Sequence, residues 1–395
     1  MSTMKVTRRA FLEASALFGA GALAPRLLLA NGNSDARFVF VILRGALDGL
    51  SAVPAYGDGA YARMRGELAI TVPKLKLDGI FALHPSLERL HARYRAGELI
   101  VLHAAASPYR ERSHFDGQDV LESGTMRTHA RDGWLNRALQ SLAPGRTPQQ
   151  LAVAIAQNVP LVLRGQAPVS SWAQSRLPAA DSDTLERIAD LYSIDPYFAT
   201  RLQAALATDA MAGDMGGGRR DPLGSFATLA SSAGKLLAAD DGPRIAVLET
   251  NGWDTHANQG AEQGQLANRL RSLDAGLEAL RNALGAAWQR TAVIVATEFG
   301  RTVAINGTRG TDHGTATCAF LLGGAVSGGR IIADWPGLAP ASLYQSRDLK
   351  PTLDLRSLFK TVLATHLRVS EAALETTVFP DSRSAKPLDG LLRKA

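Results

Sequence analysis

Asp254 and His256 stand two residues apart in Trp253-Asp254-Thr255-His256, so an extended backbone puts a carboxylate oxygen and an imidazole nitrogen on one side, where both can bind one divalent cation. Glu298 in Thr297-Glu298-Phe299-Gly300-Arg301-Thr302, His313 in Asp312-His313-Gly314 and Asp48 in Arg44-Gly45-Ala46-Leu47-Asp48-Gly49 offer further donors, each beside a short apolar run. Each also has a plainer reading. Asp254 to His256 suits an Asx-type turn, Glu298 an ion pair with Arg301, and Asp48 and His313 ordinary turns. Turns alone would favour Asn, Asp and Ser over this mixture of His, Asp and Glu. The recurrence therefore predicts one converging metal set of Asp48, Asp254, His256, Glu298 and His313, with Zn, Mg or Ca as candidate cations.

A second group lies in Arg110-Glu111-Arg112-Ser113-His114-Phe115-Asp116. Ser113 and Asp116 have capping-box-like spacing, so a helix is expected to start here with its amide dipoles aimed at an anion. Arg110 and Arg112 could add charge-assisted bonds to that anion's oxygens. A serine beside a divalent ion and a helix N-terminus can act as a nucleophile, with His114 as ligand or proton donor. The competing reading makes Ser113 a structural N-cap and His114 a helix-surface residue. His84, His91, His103, His129 and His366 lack such company and read as structural, although His103 follows a strand and precedes the Ser113 loop. Asp354 reads as a carboxylate at a helix start.

The elements that must carry these residues are legible as near-continuous apolar runs at 38–43, 99–104, 151–155, 245–250, 291–297 and 318–322, the pattern of strands covered on both faces. Between them, Leu266, Leu270, Leu273, Leu277, Leu280, Leu284 and Trp288 form one apolar helical stripe, and Leu355, Leu358, Phe359, Val362, Leu363 and Leu367 another. The alternation predicts an α/β domain with a mainly parallel sheet over residues 36–380, whose strand ends gather the candidate ligands. Residues 170–240 read as a helical insertion with a loop around Met211 to Arg220, and residues 381–395 as a polar, frayed tail.

Composition narrows the function classes. The 395 residues are 46% apolar and 20% charged, enough for a large core. Thr7-Arg8-Arg9-Ala10-Phe11-Leu12 and the short apolar stretch after it read as a twin-arginine export signal over residues 1–30. Cleavage after Ala30 is the favoured end, and an uncleaved anchor is the alternative. That segment holds four of the 43 basic and one of the 37 acidic residues, so the formal charge of +6 falls to +3 in the remainder. With no dense basic run, nucleic-acid binding is not expected. Cys318 is the lone cysteine, which excludes an internal disulfide and any multi-cysteine zinc site. Gly19 to Ala24 mimics a dinucleotide fingerprint but follows no strand, and neither a Walker loop nor a Gly-x-Ser-x-Gly elbow occurs.

Together, the export signal, Leu43 to Leu50, Arg112 to Phe115, Trp253 to His256, Thr297 to Thr302 and Asp312 to Gly314 resemble an exported bacterial domain family of unknown function (DUF1501-like) related to the alkaline phosphatase and sulfatase superfamily. The resemblance spans nearly the whole mature chain. It implies a three-layer α/β/α sandwich of alkaline-phosphatase type, with Asp48 as the first-strand metal carboxylate, Ser113 as nucleophile, Asp254 and His256 as a metal pair, Glu298 as a second carboxylate and His313 as the late histidine. Where phosphatases of this superfamily carry an Asp-His pair after the later strand, this chain has Glu298-Phe299, and phenylalanine cannot ligate. The implied activity is hydrolysis of a phosphate or sulfate ester, on an anionic small molecule or glycan, after export by the twin-arginine translocase to the periplasm or beyond. The alternative is a non-catalytic envelope protein that keeps a degenerate metal site.

Overall fold

The computed structural model describes residues 35–127, 129–142, 151–173, 182–193, 195–212 and 224–393. The export signal and residues 213–220 of the expected loop lie outside these described residues.

The predicted runs are strands. Among the described residues they join a nine-stranded sheet built from β1 (Arg37–Arg44), β4 (Leu99–Ala106), β5 (Ala152–Ile155), β6 (Ser170–Trp172), β7 (Ile245–Asn251), β8 (Thr291–Thr297), β9 (Thr317–Leu322), β10 (Arg330–Ile332) and β11 (Leu353–Asp354). A separate hairpin pairs β2 (Leu75–Lys76) with β3 (Ala82–Leu83). The order across the large sheet is β10-β4-β9-β8-β1-β7-β5-β6, with β11 also on β4. Every pairing is parallel except those of β9, which runs against β4 and β8. The carboxyl ends of β1, β4, β7 and β8 therefore share one edge with the amino end of β9.

Among the described residues the α-helices of four or more residues are α1 (Gly49–Ala52), α2 (Tyr61–Arg65), α3 (Glu88–Arg95), α4 (His114–Ser123), α5 (Trp134–Ser141), α6 (Ser182–Ser193), α7 (Pro196–Ala212), α8 (Gly224–Ala238), α9 (Gln265–Leu284) and α10 (Leu355–Thr365). Period-2 alternation sorts them into two layers. Val39, Val41 and Leu43 of β1 face a core built with α3, α8 and α9, which contribute Leu90, Phe226, Leu270 and Leu277. Phe38, Phe40 and Ile42 face a second core with α5 and α10, where Trp134 stacks on Phe359 with ring centroids 5.0 Å apart. The sheet is thus covered on both faces, which is why its strands read as unbroken apolar runs: a three-layer α/β/α sandwich with a mainly parallel sheet.

Three places depart from the sequence reading. Within the segment expected as a helical insertion, Ser170–Trp172 is strand β6 paired with β5, and α8 belongs to the sheet-covering layer through Phe226, Ala230, Ala233 and Leu236. The tail is not frayed over residues 381–393. Ser382, Ala385, Leu391 and Leu392 are buried, and the fully buried Lys360 ammonium donates to the Ser382 carbonyl at 2.8 Å. His103, held in reserve as a site residue, is buried in the core, where it bonds Val53 O at 3.0 Å and stacks on Phe81.

Candidate metal centre

Four chain segments meet at the carboxyl edge of the sheet: the exit of β7 with Asp254 and His256, the exit of β8 with Glu298, the first turn of α4 with His114, and the approach to β9 with His313. Glycine makes the close approach possible. Gly45, at the exit of β1, has φ +117°, its N–H donates to Glu298 Oε1 at 2.9 Å, and a Cβ there would lie 2.7 Å from the Asp254 amide nitrogen.

The imidazoles are held from behind. His114 Nδ1 lies 2.8 Å from Glu298 Oε1, and His313 Nδ1 lies 2.9 Å from the carbonyl oxygen of Arg112. Both partners can only accept, so each Nδ1 carries a proton, and in the neutral ring Nε2 keeps the lone pair that a cation needs. These Nε2 atoms turn toward Asp254: His114 Nε2 is 3.5 Å from Oδ2, and His313 Nε2 is 3.4 Å from Oδ1. Donor atoms of His114, Asp254 and His313 all fall within 4.8 Å of one another. His256 joins with Nε2 3.0 Å from both His313 Nε2 and Asp254 Oδ1, while its Nδ1 faces Asp312 Oδ1 at 3.3 Å. His114 Nε2 is buried and has no hydrogen-bond partner. An orphaned lone pair beside a carboxylate and two facing imidazole nitrogens fits a divalent cation, and the acceptors behind the rings fit the partners that orient histidine ligands.

Electrostatics prepare the donors. The hydrogen bond to Glu298 raises His114 above the ordinary histidine value, against the opposing effect of its burial. Burial disfavours the Asp254 carboxylate, but the hydrogen bond and charge of the buried Arg301 outweigh it and hold the group below the usual range. For His313, burial dominates and lowers its basicity.

Asp48 and Glu298 are not placed as ligands. Asp48 Oδ1 accepts from the amides of Leu50 and Ser51 at the start of α1, and Oδ2 receives Ser51 Oγ, Gln259 Nε2 and the guanidinium of the fully buried Arg65. Its oxygens are spent on this internal network. Glu298 Oε1 is shared by His114, Gly45 and Gln118, and Oε2 accepts from Thr297 Oγ1 at 2.7 Å, so it positions a histidine.

The two arginines expected to hold an anion are also engaged elsewhere. Arg112 donates to Asp348 Oδ2 at 2.9 Å and to Gln345 Oε1 at 2.6 Å, and Arg110 folds back onto the carbonyls of Ser107 and Tyr109. Arg112 instead contributes its carbonyl to His313, from a left-handed backbone at φ +62°.

Ser113 occupies the N-cap position of α4 in extended conformation, but its side chain makes no capping bond. In the chain it lies between Arg112, whose carbonyl holds His313, and His114, and its amide donates to Tyr109 Oη at 3.0 Å. Phe299 stacks on the His114 ring at 5.0 Å and lies 5.4 Å from the His313 ring, filling the position where the resemblance implied another ligand. Gly117 gives that ring room, since a Cβ there would come within 2.9 Å of Phe299 Cδ1.

Sequence reasoning missed Arg301 as the partner of Asp254, Asp312 as the partner of His256, and Gln118. Only Gln118 had a local signal, four residues beyond His114 on the same helical face.

No curated protein matches the sequence. Solved structures show distant likenesses over much of the chain. The phosphonate monoester hydrolase of Agrobacterium radiobacter is 11% identical, with 85% of this chain and 74% of that chain covered and a TM-score of 0.39. The C-terminal periplasmic domain of EcEptC from Escherichia coli, in complex with Zn, is 10% identical over 89% of each chain, with a TM-score of 0.40. The PsFucS1 sulfatase from Pseudoalteromonas sp. is 14% identical, covering 91% of this chain and 72% of that chain, with a TM-score of 0.41. These likenesses are too distant to carry any functional residue across. The sequence itself matches a family described as "Protein of unknown function (DUF1501)" over residues 99–378, and the chain belongs to that family.

Proposed function

We propose that the chain is an exported, divalent-cation-dependent hydrolase of phosphate or sulfate esters, with His114, Asp254, His256 and His313 holding the cation and Ser113 as nucleophile. The observation that carries this reading is the buried, unpartnered His114 Nε2 converging with His313 and Asp254. Three imidazoles and one carboxylate favour a borderline cation such as Zn²⁺ over Ca²⁺ or Mg²⁺. When bound, the cation would supply positive charge to the ester's oxygens and favour ionisation of a neighbouring hydroxyl. The protein's own contribution is orientation. Glu298 and the Arg112 carbonyl fix two rings, Arg301 fixes the carboxylate, and the first-turn amides of α4 offer hydrogen bonds to an anion beside Ser113.

Elemental analysis and an ester panel test this together. Purified protein should retain about one divalent cation per chain, and Asp254→Asn should lose both cation and turnover. Ser113→Ala should keep the cation but lose roughly a thousandfold or more in kcat. Folded, cation-loaded protein that turns over no phosphomonoester, phosphodiester or sulfate ester would refute the hydrolase. A non-catalytic binding role is the second reading, favoured by the engagement of Arg110 and Arg112 away from the cluster. It expects Ser113→Ala to leave ligand affinity unchanged.

Export rests on Arg8-Arg9. Replacing both with lysine should retain the protein in the cytoplasm, and unchanged fractionation would remove that part. No helix among the described residues is long and apolar enough to cross a membrane.

A further inference from the structure

A cavity of about 570 Å³ opens beside α4, within the volume range of small-molecule sites. Its wall is the same helix that begins at His114, and one residue joins the two places. Gln118 Nε2 donates to Glu298 Oε1 at 3.2 Å, on the oxygen that holds His114, while Gln118 Oε1 accepts from Arg44 in the cavity at 2.9 Å. Arg44 also bonds Glu122 Oε1 at 2.8 Å and pairs with Glu249, so the floor is a fixed ionic network. Around it stand Asp116, Asp119 and Arg164, and at the rim Phe115 is 86% exposed.

The lining defines the ligand. Four carboxylates face two guanidiniums, so an anionic group is disfavoured and a neutral or cationic one is accepted. Carboxylate acceptors and guanidinium donors flank the Phe115 ring, and the remaining wall is divided between the polar Gln118, His129 and Asn158 and the apolar Val159, Pro160 and Leu161. A sugar ring matches this, having an apolar C–H face and a rim of hydroxyl groups that both donate and accept. We propose that this cavity binds the non-reacting glycan portion of the substrate, with uncharged or amino sugars against Phe115 and Asp119, next to the ester held at the cluster. The proposal rests on the hydrolase reading for its place in the reaction, though not for the binding itself.

The test uses unesterified saccharides, which cannot turn over. Titration calorimetry of the full protein with β-1,4-linked glucose and glucosamine hexasaccharides should show saturable binding, weakened about tenfold or more by Phe115→Ala. Turnover of a small aryl ester by that variant should be unchanged. Absence of binding by both saccharides, or equal affinity in Phe115→Ala, would each overturn the proposal. The two readings fail separately. Saccharide binding without any ester hydrolysis removes the hydrolase and leaves the cavity, whereas aryl-ester turnover without saccharide binding does the reverse.

Discussion

Asp48 and Asp254 are both aspartates just past the ends of parallel strands, and sequence spacing treats them alike. Their neighbours separate them. Asp48 is buried against Arg65, Gln259 and Ser51, and although burial disfavours its charge, Arg65 and these hydrogen bonds hold its carboxyl below the usual range. Asp254 is more exposed and keeps oxygens turned toward three imidazoles. The two should therefore respond in opposite ways to substitution. Asp48→Ala leaves a buried guanidinium without its counter-charge and should destabilise the fold by about 3–5 kcal/mol, while the refolded protein still binds one cation. Urea unfolding and elemental analysis of the same sample check both parts. Loss of the cation at unchanged stability would return Asp48 to the ligand set.

At the scale of elements, the strands that cross the middle of the sandwich were legible because both faces are covered and every residue must be apolar. Strands β6, β10 and β11 have two or three residues each and sit where no such run is required, so periodicity gave no sign of them. The site was legible to the same extent. Asp254, His256 and His313 follow from position at strand ends, whereas the roles of Glu298, Arg112 and Asp48 depend on partners up to 253 residues away, as in the Gly45–Glu298 bond. Spacing cannot reveal whether a carboxylate is already satisfied. His103 shows an element-level consequence, since it ties β4 to the chain leaving α1 through Val53 O. Burial lowers its pKa from 6.5 to about 4. Below pH 6.5 the unfolded chain takes up a proton that the folded protein refuses until about pH 4, so this contribution is complete above pH 6.5 and lost as pH falls through that window. His103→Gln lacks the titration. The stability gap between wild type and variant should narrow by about 3 kcal/mol from pH 7 to pH 4, with groups common to both cancelling. A constant gap in urea titrations across that range would mean that His103 protonates normally in the folded protein.

The whole molecule joins distant parts of the chain at the cluster. Its donors come from α4, the exit of β7 and the loop before β9, so a bound cation would link α4 to the sheet edge. Global unfolding must separate these donors, which makes cation binding and folding a single linked equilibrium. At a free cation concentration of 100 times Kd the folded state gains about 2.7 kcal/mol. For a domain of about 360 residues, with an unfolding entropy of roughly 2.1 cal/mol/K per residue, that corresponds to a rise in Tm of roughly 3–4 °C. Calorimetric scans should show that rise when Zn²⁺ is restored to chelator-treated protein, a smaller one with Mg²⁺ or Ca²⁺ if the nitrogen-rich donor set governs the choice, and none in Asp254→Asn. The last comparison separates the cluster from unspecific binding at surface carboxylates, because those remain in the variant. Equal shifts in wild type and Asp254→Asn would place any bound cation elsewhere and leave the three imidazoles as a hydrogen-bonded group around Arg301 and Asp312.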